Sequence, residues 1–229
     1  MAAKKKTNVE NKSSNVSEML SQSEQFIEKN QKYLLIGVGV VVVLIVAILG
    51  FRNQYLVPKE REAEAAIVKG ENYFANDQWD LALNGDDIDY VGFETIISDY
   101  KFTKTGKLAH AYAGICYYYK GDLAVARKFL DKYSAKDRMF SPAITGLIGD
   151  CYVDMGEVAK GIGYFEKAAA KADNDLISPT YLKKAGRAYE YLNKYDKAVK
   201  AYTAIKQKYP TSQEASEIDK FIERAKMKL

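Results

Sequence analysis

Cysteine and histidine are scarce in this chain: two of the first and one of the second in 229 residues. That leaves little material for a metal site or for thiol chemistry. No Gly-x-Ser-x-Gly elbow, Walker loop, zinc-spaced cysteine pair or His-Glu-x-x-His occurs. No catalytic residue, metal site or cofactor is therefore expected. A surplus of one charge sign is also missing. Residues 52–229 hold 28 basic and 26 acidic side chains once the six lysines and four glutamates of residues 1–51 are set aside. A nucleic-acid binder normally shows a strong basic excess, so that class is excluded. Prolines number four, and each falls where a helix would start or stop.

One apolar run is present. Residues 34–51 read LLIGVGVVVVLIVAILGF, without a charge. A helix over them is about 27 Å long, enough to cross a hydrocarbon core. Tyr33 and Tyr55 suit the two interfaces. The run is too long for a signal peptide, begins too late, and lacks a small-x-small cleavage site. No cysteine near its end permits lipoprotein processing. The alternative is a buried core helix, which so long an unbroken run disfavours. Lys4, Lys5, Lys6, Lys12, Lys29 and Lys32 precede the run; Arg52, Lys59, Arg61 and Lys69 follow it. The whole-tail count places the N-terminus in the cytoplasm, although the nearest flanks are nearly even.

Residues 1–14 are polar and lysine-rich and read as disordered. Asn15 and Glu18 form a capping-box pattern. Val16, Leu20, Ile27 and Leu34, beside Met19 and Phe26, give an amphipathic face. It either lies in the lipid interface or docks on another membrane protein.

The rest of the chain repeats. Gly114, Gly149 and Gly186 are 35 and 37 residues apart. Each is followed by a tyrosine (Tyr117, Tyr152, Tyr189), a small residue (Ala126, Gly161, Ala198) and a large apolar one (Leu130, Phe165, Tyr202) at fixed offsets. A period near this length fits two helices and two turns, units that bury their apolar faces only by stacking. Pro58 suits the first turn of a helix over 58–75, with Ala63, Ala66, Ile67, Gly70 and Phe74 on one face. Asn84-Gly85-Asp86-Asp87 is a turn cluster inside what should be that unit's second helix, and the pattern resumes at Phe93, Ile96, Ile97 and Tyr100. The first unit thus carries an insertion, in line with the 44 residues from Gly70 to Gly114. Further units span 105–134, 141–173 and 178–209, with inner turns at Gly121-Asp122, Met155-Gly156-Glu157 and Asn193-Lys194. Ser141-Pro142 and Ser178-Pro179 read as a cap before a first-turn proline. After Pro210, Thr211 with Glu214 caps a final helix whose Ile218, Phe221, Ile222 and Ala225 form an apolar stripe.

These residues resemble the tetratricopeptide repeat: glycine at position eight, tyrosine at eleven, alanine at twenty, an aromatic or leucine at twenty-four, proline at thirty-two. Gly186, Tyr189, Ala198, Tyr202 and Pro210 match throughout. The second and third units depart at position thirty-two, and the third has Gly161 for alanine. A lysine-rich tail, one span and degenerate repeats together resemble the YfgM-like family, ancillary subunits of the bacterial Sec translocon. The resemblance implies a bacterial inner-membrane protein with a cytoplasmic N-terminus. Its periplasmic repeats would contact Sec subunits, chaperones or emerging polypeptides. The expected fold is all-α: a polar tail with a short amphipathic helix over 1–32, a spanning helix over 33–52, and then about nine helices over 53–229, a right-handed superhelix of about four repeats, the first with an insertion, and a capping helix.

In this repeat the first helix of each unit lines a concave groove. The candidate peptide-binding residues are Ile115, Tyr118, Tyr119, Asp150, Asp154, Lys183, Arg187 and Tyr191. They give the groove an aromatic end, an acidic middle and a basic end. Tyrosine offers large contact area at small entropic cost, and Lys183 or Arg187 could hold a carboxylate. The alternative is solvated surface in which Asp154 pairs with Lys183 or Arg187. Cys116 and Cys151 share one slot, filled by Ala188 in the fourth unit, and read as free buried thiols too far apart for a disulfide. His110 reads as packing, and Asp86-Asp87-Ile88-Asp89 as a solvated turn lacking the glycine and glutamate of a calcium loop. The expected function is a membrane-tethered adaptor for protein export. The competing reading is a scaffold for envelope or outer-membrane assembly.

Overall fold

The computed structural model describes residues 27, 29–86 and 88–229. The expected amphipathic stretch from Asn15 to Phe26 lies outside them, as does Asp87. The described residues form helices and no strand. The chain divides into two compact parts at Val57 and Pro58.

In the N-terminal part, residues 29–51 form helix α1, followed by a π-helical turn over Arg52–Leu56. Among the described residues, one helix near the N-terminus is long and apolar enough to cross a membrane. None of its apolar window is buried within the protein, unlike a core helix of a soluble domain.

Ten helices build the second part: α2 (Val57–Ala75, all but its first residue), α3 (Trp79–Asn84), α4 (Phe93–Asp99), α5 (Lys104–Tyr119), α6 (Leu123–Leu130), α7 (Phe140–Asp154), α8 (Val158–Ala172), α9 (Ser178–Tyr191), α10 (Tyr195–Lys208) and α11 (Ile218–Lys226). A 3-10 turn over Glu214–Glu217 precedes the last. The expectation was about nine. The extra helix arises because the insertion divides the second helix of the first unit into α3 and α4.

Along most of its length each helix packs on its neighbours in sequence, α4 on α5, α7 on α8, α8 on α9, α10 on α11. The repeat glycines permit this. A β-carbon on Gly114 would lie 2.6 Å from Leu130, and one on Gly149 would lie 2.7 Å from Phe165. Ala126 and Ala198 are buried at the small-residue position. Gly161 takes that position in the third unit because a β-carbon there would meet Val153 at 2.5 Å and the Gly149 carbonyl at 2.8 Å. The first unit obeys the same rule by a detour. Tyr90 and Phe93, beyond the insertion, cover Gly70 at 2.1 and 2.6 Å from its would-be β-carbon.

The turn inside every unit is also the same object. Gln78, Asp122, Glu157 and Lys194 donate their backbone N–H to the carbonyls of Tyr73, Tyr117, Tyr152 and Tyr189 at 2.8–2.9 Å. This is the six-to-one bond that closes a helix around a left-handed residue. That residue is Asp77, Gly121, Gly156 or Asn193, all at positive φ.

Helix starts differ from expectation. Ser141 and Ser178 lie inside the first turns of α7 and α9. The free N–H groups are taken instead by Asp137, whose Oδ1 accepts from Met139 and Ser141 at 3.0 and 2.9 Å, and by Asn174, whose Oδ1 accepts from Leu176 and Ile177 at 3.0 and 2.8 Å. Likewise Ser212, not Thr211, receives the Ala215 N–H at 3.2 Å.

Candidate functional site

The first helices of the units, α5, α7 and α9, carry the candidate groove residues. Asp150, Val153, Arg187 and Tyr191 line one cleft of about 500 Å³ between α7 and α9, together with Gly156, Val158, Phe165, Lys184 and Ala188. Its lining combines the apolar Val153, Val158, Phe165 and Ala188 with the paired Asp150 and Lys184 and with Arg187 and Tyr191. Arg187 and Tyr191 also line a second cleft of about 420 Å³ with Glu190, Tyr195, Arg224 and Lys228. The two hollows thus share a wall.

Charges in this region are mostly spoken for. Lys184 Nζ donates to both Asp150 oxygens at 2.9 and 2.7 Å. Burial nonetheless raises the Asp150 carboxyl above its ordinary range, against the lowering by Lys184. Tyr118 donates to Asp154 at 3.1 Å, across one unit boundary. Burial first, and then Asp154, push the Tyr118 phenol well above its usual range. Lys183 pairs with Glu217 and sits 4.8 Å from the Phe221 ring. Arg224 donates to Glu190 at 2.6 Å. Asp154 therefore pairs with neither Lys183 nor Arg187. Among the described residues, Arg187 makes no ion pair, and its side chain is exposed. Tyr191 is 75% exposed beside it.

At the aromatic end, Tyr119 is 63% exposed and stacks on Trp79, ring centroids 4.9 Å apart. Trp79 meets Phe74 edge-on at 5.4 Å, Phe74 meets Tyr112 at 4.9 Å, and Tyr112 stacks on Phe93 at 5.2 Å. A continuous file of rings joins this surface to the core. Ile115 is half-buried and packs against the Ala126, Leu130 and Ile148 cluster. Lys184 and Trp79 were missed from sequence. Lys184 follows Lys183 directly, and only helix rotation decides which of the two faces Asp150.

Cys116 and Cys151 are both buried and unpaired. His110 meets Phe129 at a tilt, ring centroids 5.9 Å apart, and its buried Nδ1 has no partner among the described residues. Burial first, and then Lys132, lower its pKa. Asp86 Oδ1 accepts from the N–H groups of Ile88, Asp89 and Tyr90 at 2.9–3.1 Å, and Oδ2 accepts from Tyr73 at 2.7 Å. Its oxygens are committed to the loop backbone and to Tyr73 of α2.

The tetratricopeptide-repeat family profile matches residues 182–212. That stretch runs through α9 and α10, the unit that follows the repeat pattern throughout. The second part has the stacked helical-hairpin fold of tetratricopeptide repeats, with one unit matched by the profile. A crystal structure of the nearly identical TPR-like repeats of a protein described as a kinesin light chain from Podosopora anserina is similar in fold. The TM-score is 0.53 at 13% identity, over 73% of this chain and 86% of that one. At that identity the likeness bears on the fold alone. No curated protein matches the sequence. Tetratricopeptide repeats typically serve as protein-interaction scaffolds.

Proposed function

We propose that this protein is a membrane-anchored adaptor whose tetratricopeptide groove holds a polypeptide segment, as an ancillary subunit of the bacterial Sec translocon. α1 spans the inner membrane with the N-terminus in the cytoplasm. The repeats stand in the periplasm, where they meet translocon subunits, chaperones or emerging chains. The lysines ahead of the apolar run support the orientation. Tethering raises the local concentration of the groove near its client, so modest affinity suffices.

The observation that carries the binding role is Arg187. It is a guanidinium without a carboxylate partner among the described residues, next to an exposed tyrosine and beside the apolar Val153, Val158, Phe165 and Ala188. A guanidinium binds a carboxylate by paired N–H donors. The fitting ligand is an extended segment with an apolar side chain next to an acidic one.

A photo-crosslinker in place of Tyr191, in the full-length chain in intact membranes, tests this. Translocon subunits or secretory chains are expected as products, and Arg187→Glu should reduce them about tenfold, as losing a charge-assisted contact does. The same products from a crosslinker at Lys167, exposed on the second helix α8, would overturn the groove. Mature envelope subunits as the products would favour the assembly scaffold instead.

A further inference from the structure

Beside the cleft between α7 and α9 lies the second one, of about 420 Å³. It is bounded by Arg187, Glu190 and Tyr191 of α9, Tyr195 at the start of α10, Arg224 of α11 and Lys228 just past the end of α11. Arg187 and Tyr191, one helical turn apart on α9, belong to both clefts. A chain that crosses this wall enters both.

The second cleft has a positive surplus with every carboxylate of its lining counted as charged. Arg187, Arg224 and Lys228 stand against Glu190 alone, a surplus of two. The first cleft adds Asp150 and Lys184, one of each sign, and leaves that surplus unchanged. Asp154, Asp196, Glu223 and Leu229 are near in sequence but line neither cleft.

The cations differ in how they are held. Arg224 Nε and Nη2 donate to the two Glu190 oxygens at 3.4 and 2.6 Å, and the guanidinium lies 4.8 Å from the Phe221 ring. That fork fixes Arg224 and occupies both oxygens of Glu190. Lys228, like Arg187, is exposed and makes no ion pair among the described residues. Two unpaired cations, with Tyr191 and Tyr195 beside them, therefore line one hollow.

This lining suits carboxylate side chains on a polypeptide. The neighbouring cleft, with Val153, Val158, Phe165 and Ala188, suits an apolar side chain of the same segment. An extended segment advances about 3.3 Å per residue, so side chains two or three positions apart reach opposite sides of a wall one side chain thick. A lone phosphate would leave the apolar cleft empty.

We propose that the second cleft is a subsite for acidic side chains: the segment held in the groove carries two carboxylates beside its apolar residue, the nearer on Arg187 and the farther between Arg224 and Lys228. The proposal rests on the groove reading and narrows its clients to acidic segments.

The test uses the full-length chain in detergent micelles and three short labelled peptides blocked at both ends. Each has a single leucine in a background of glycine, serine and glutamine, followed by no, one or two glutamates. Fluorescence anisotropy should show the two-glutamate peptide binding about tenfold more tightly than the one-glutamate peptide, the gain from one charge-assisted contact. Lys228→Gln should erase that gain. Lys200→Gln, at an exposed lysine of α10 outside both clefts, should keep it. Equal binding of the two acidic peptides overturns the proposal. So does an equal loss with Lys228→Gln and Lys200→Gln, the mark of bulk charge, and so does displacement by inorganic phosphate as effective as by unlabelled peptide. The groove has its own readout, since Arg187→Gln should weaken the one-glutamate peptide. If it does and the second glutamate adds nothing, the second cleft alone falls. If no peptide binds, or Arg187→Gln changes nothing, the groove falls with it.

Discussion

The Tyr202 ring lies flat over Gly186, so that a β-carbon on the glycine would stand 2.2 Å from Tyr202 Cε1. Tyr202 is fully buried and has no room to swing aside. Gly186→Ala should therefore destabilise the repeats by about 1–2 kcal/mol, overpacking outweighing the helix propensity gained. Gly163, in α8, has nothing within 4 Å of its β-position. Gly163→Ala should stabilise by about 0.5–1 kcal/mol. Thermal unfolding of both variants reads the contrast, and equal shifts would contradict it.

Glu217 joins α9 to the end of the domain through Lys183, with Lys220 as a second partner. Lys183 first, and then Lys220, hold its carboxyl down to about 2 from an ordinary 4.5. The stabilising contribution of a depressed carboxyl is complete above its unfolded value and disappears as pH falls toward its folded one. Stability should thus drop between pH 4.5 and about 2. Lys183→Met should return the Glu217 titration toward 4.5, seen by carboxyl-resolved NMR. An unchanged midpoint would rule out the pairing.

Burial pushes the Cys116 thiol up to about 12 and the Cys151 thiol up to about 11. Thiolate is the reactive form. The folded chain should leave both unmodified by an aromatic disulfide reagent, while the urea-unfolded chain consumes two equivalents. Rapid reaction of the native protein would show that the slots are open.

Asp86 organises the insertion. The Tyr73 hydroxyl first, and then backbone N–H groups, hold its carboxyl far below the usual range. Asp86→Ala removes the acceptor for three N–H groups. Limited proteolysis should then cut between Asn84 and Gly92 faster than in the parent chain, with the rest of the repeats resistant. Equal cutting rates would mean that the loop is held some other way.

Trp79 is the sole tryptophan of the chain. Its stacking on Tyr119 makes it a reporter for the aromatic end of the proposed groove. Tyr119→Ala should expose the indole and move its emission to the red. A peptide bound there should move it to the blue in the parent chain only.

The framework was legible because it is made of contacts that recur. Gly186, Tyr189, Ala198 and Tyr202 do the same work as their counterparts one period away, so spacing alone reveals them. Partner choice does not recur. Lys184 rather than Lys183 faces Asp150, and Tyr118 rather than a cation serves Asp154. A rotation of one residue about a helix axis decides each. The caps were hidden for another reason. Asp137 and Asn174 stand four residues before serines that are themselves good caps. Which side chain reaches the free N–H groups is a local competition that residue type does not settle.

The detour that seats Phe93 over Gly70 shows what the packing of each unit requires. It is the lid on each glycine, not the distance along the chain to reach it. Three of the repeat glycines are evenly spaced and the fourth, Gly70, is not, yet a large side chain covers each of the four. Grafted loops should therefore be accepted between Asn84 and Gly92, provided an aromatic ring still closes over Gly70.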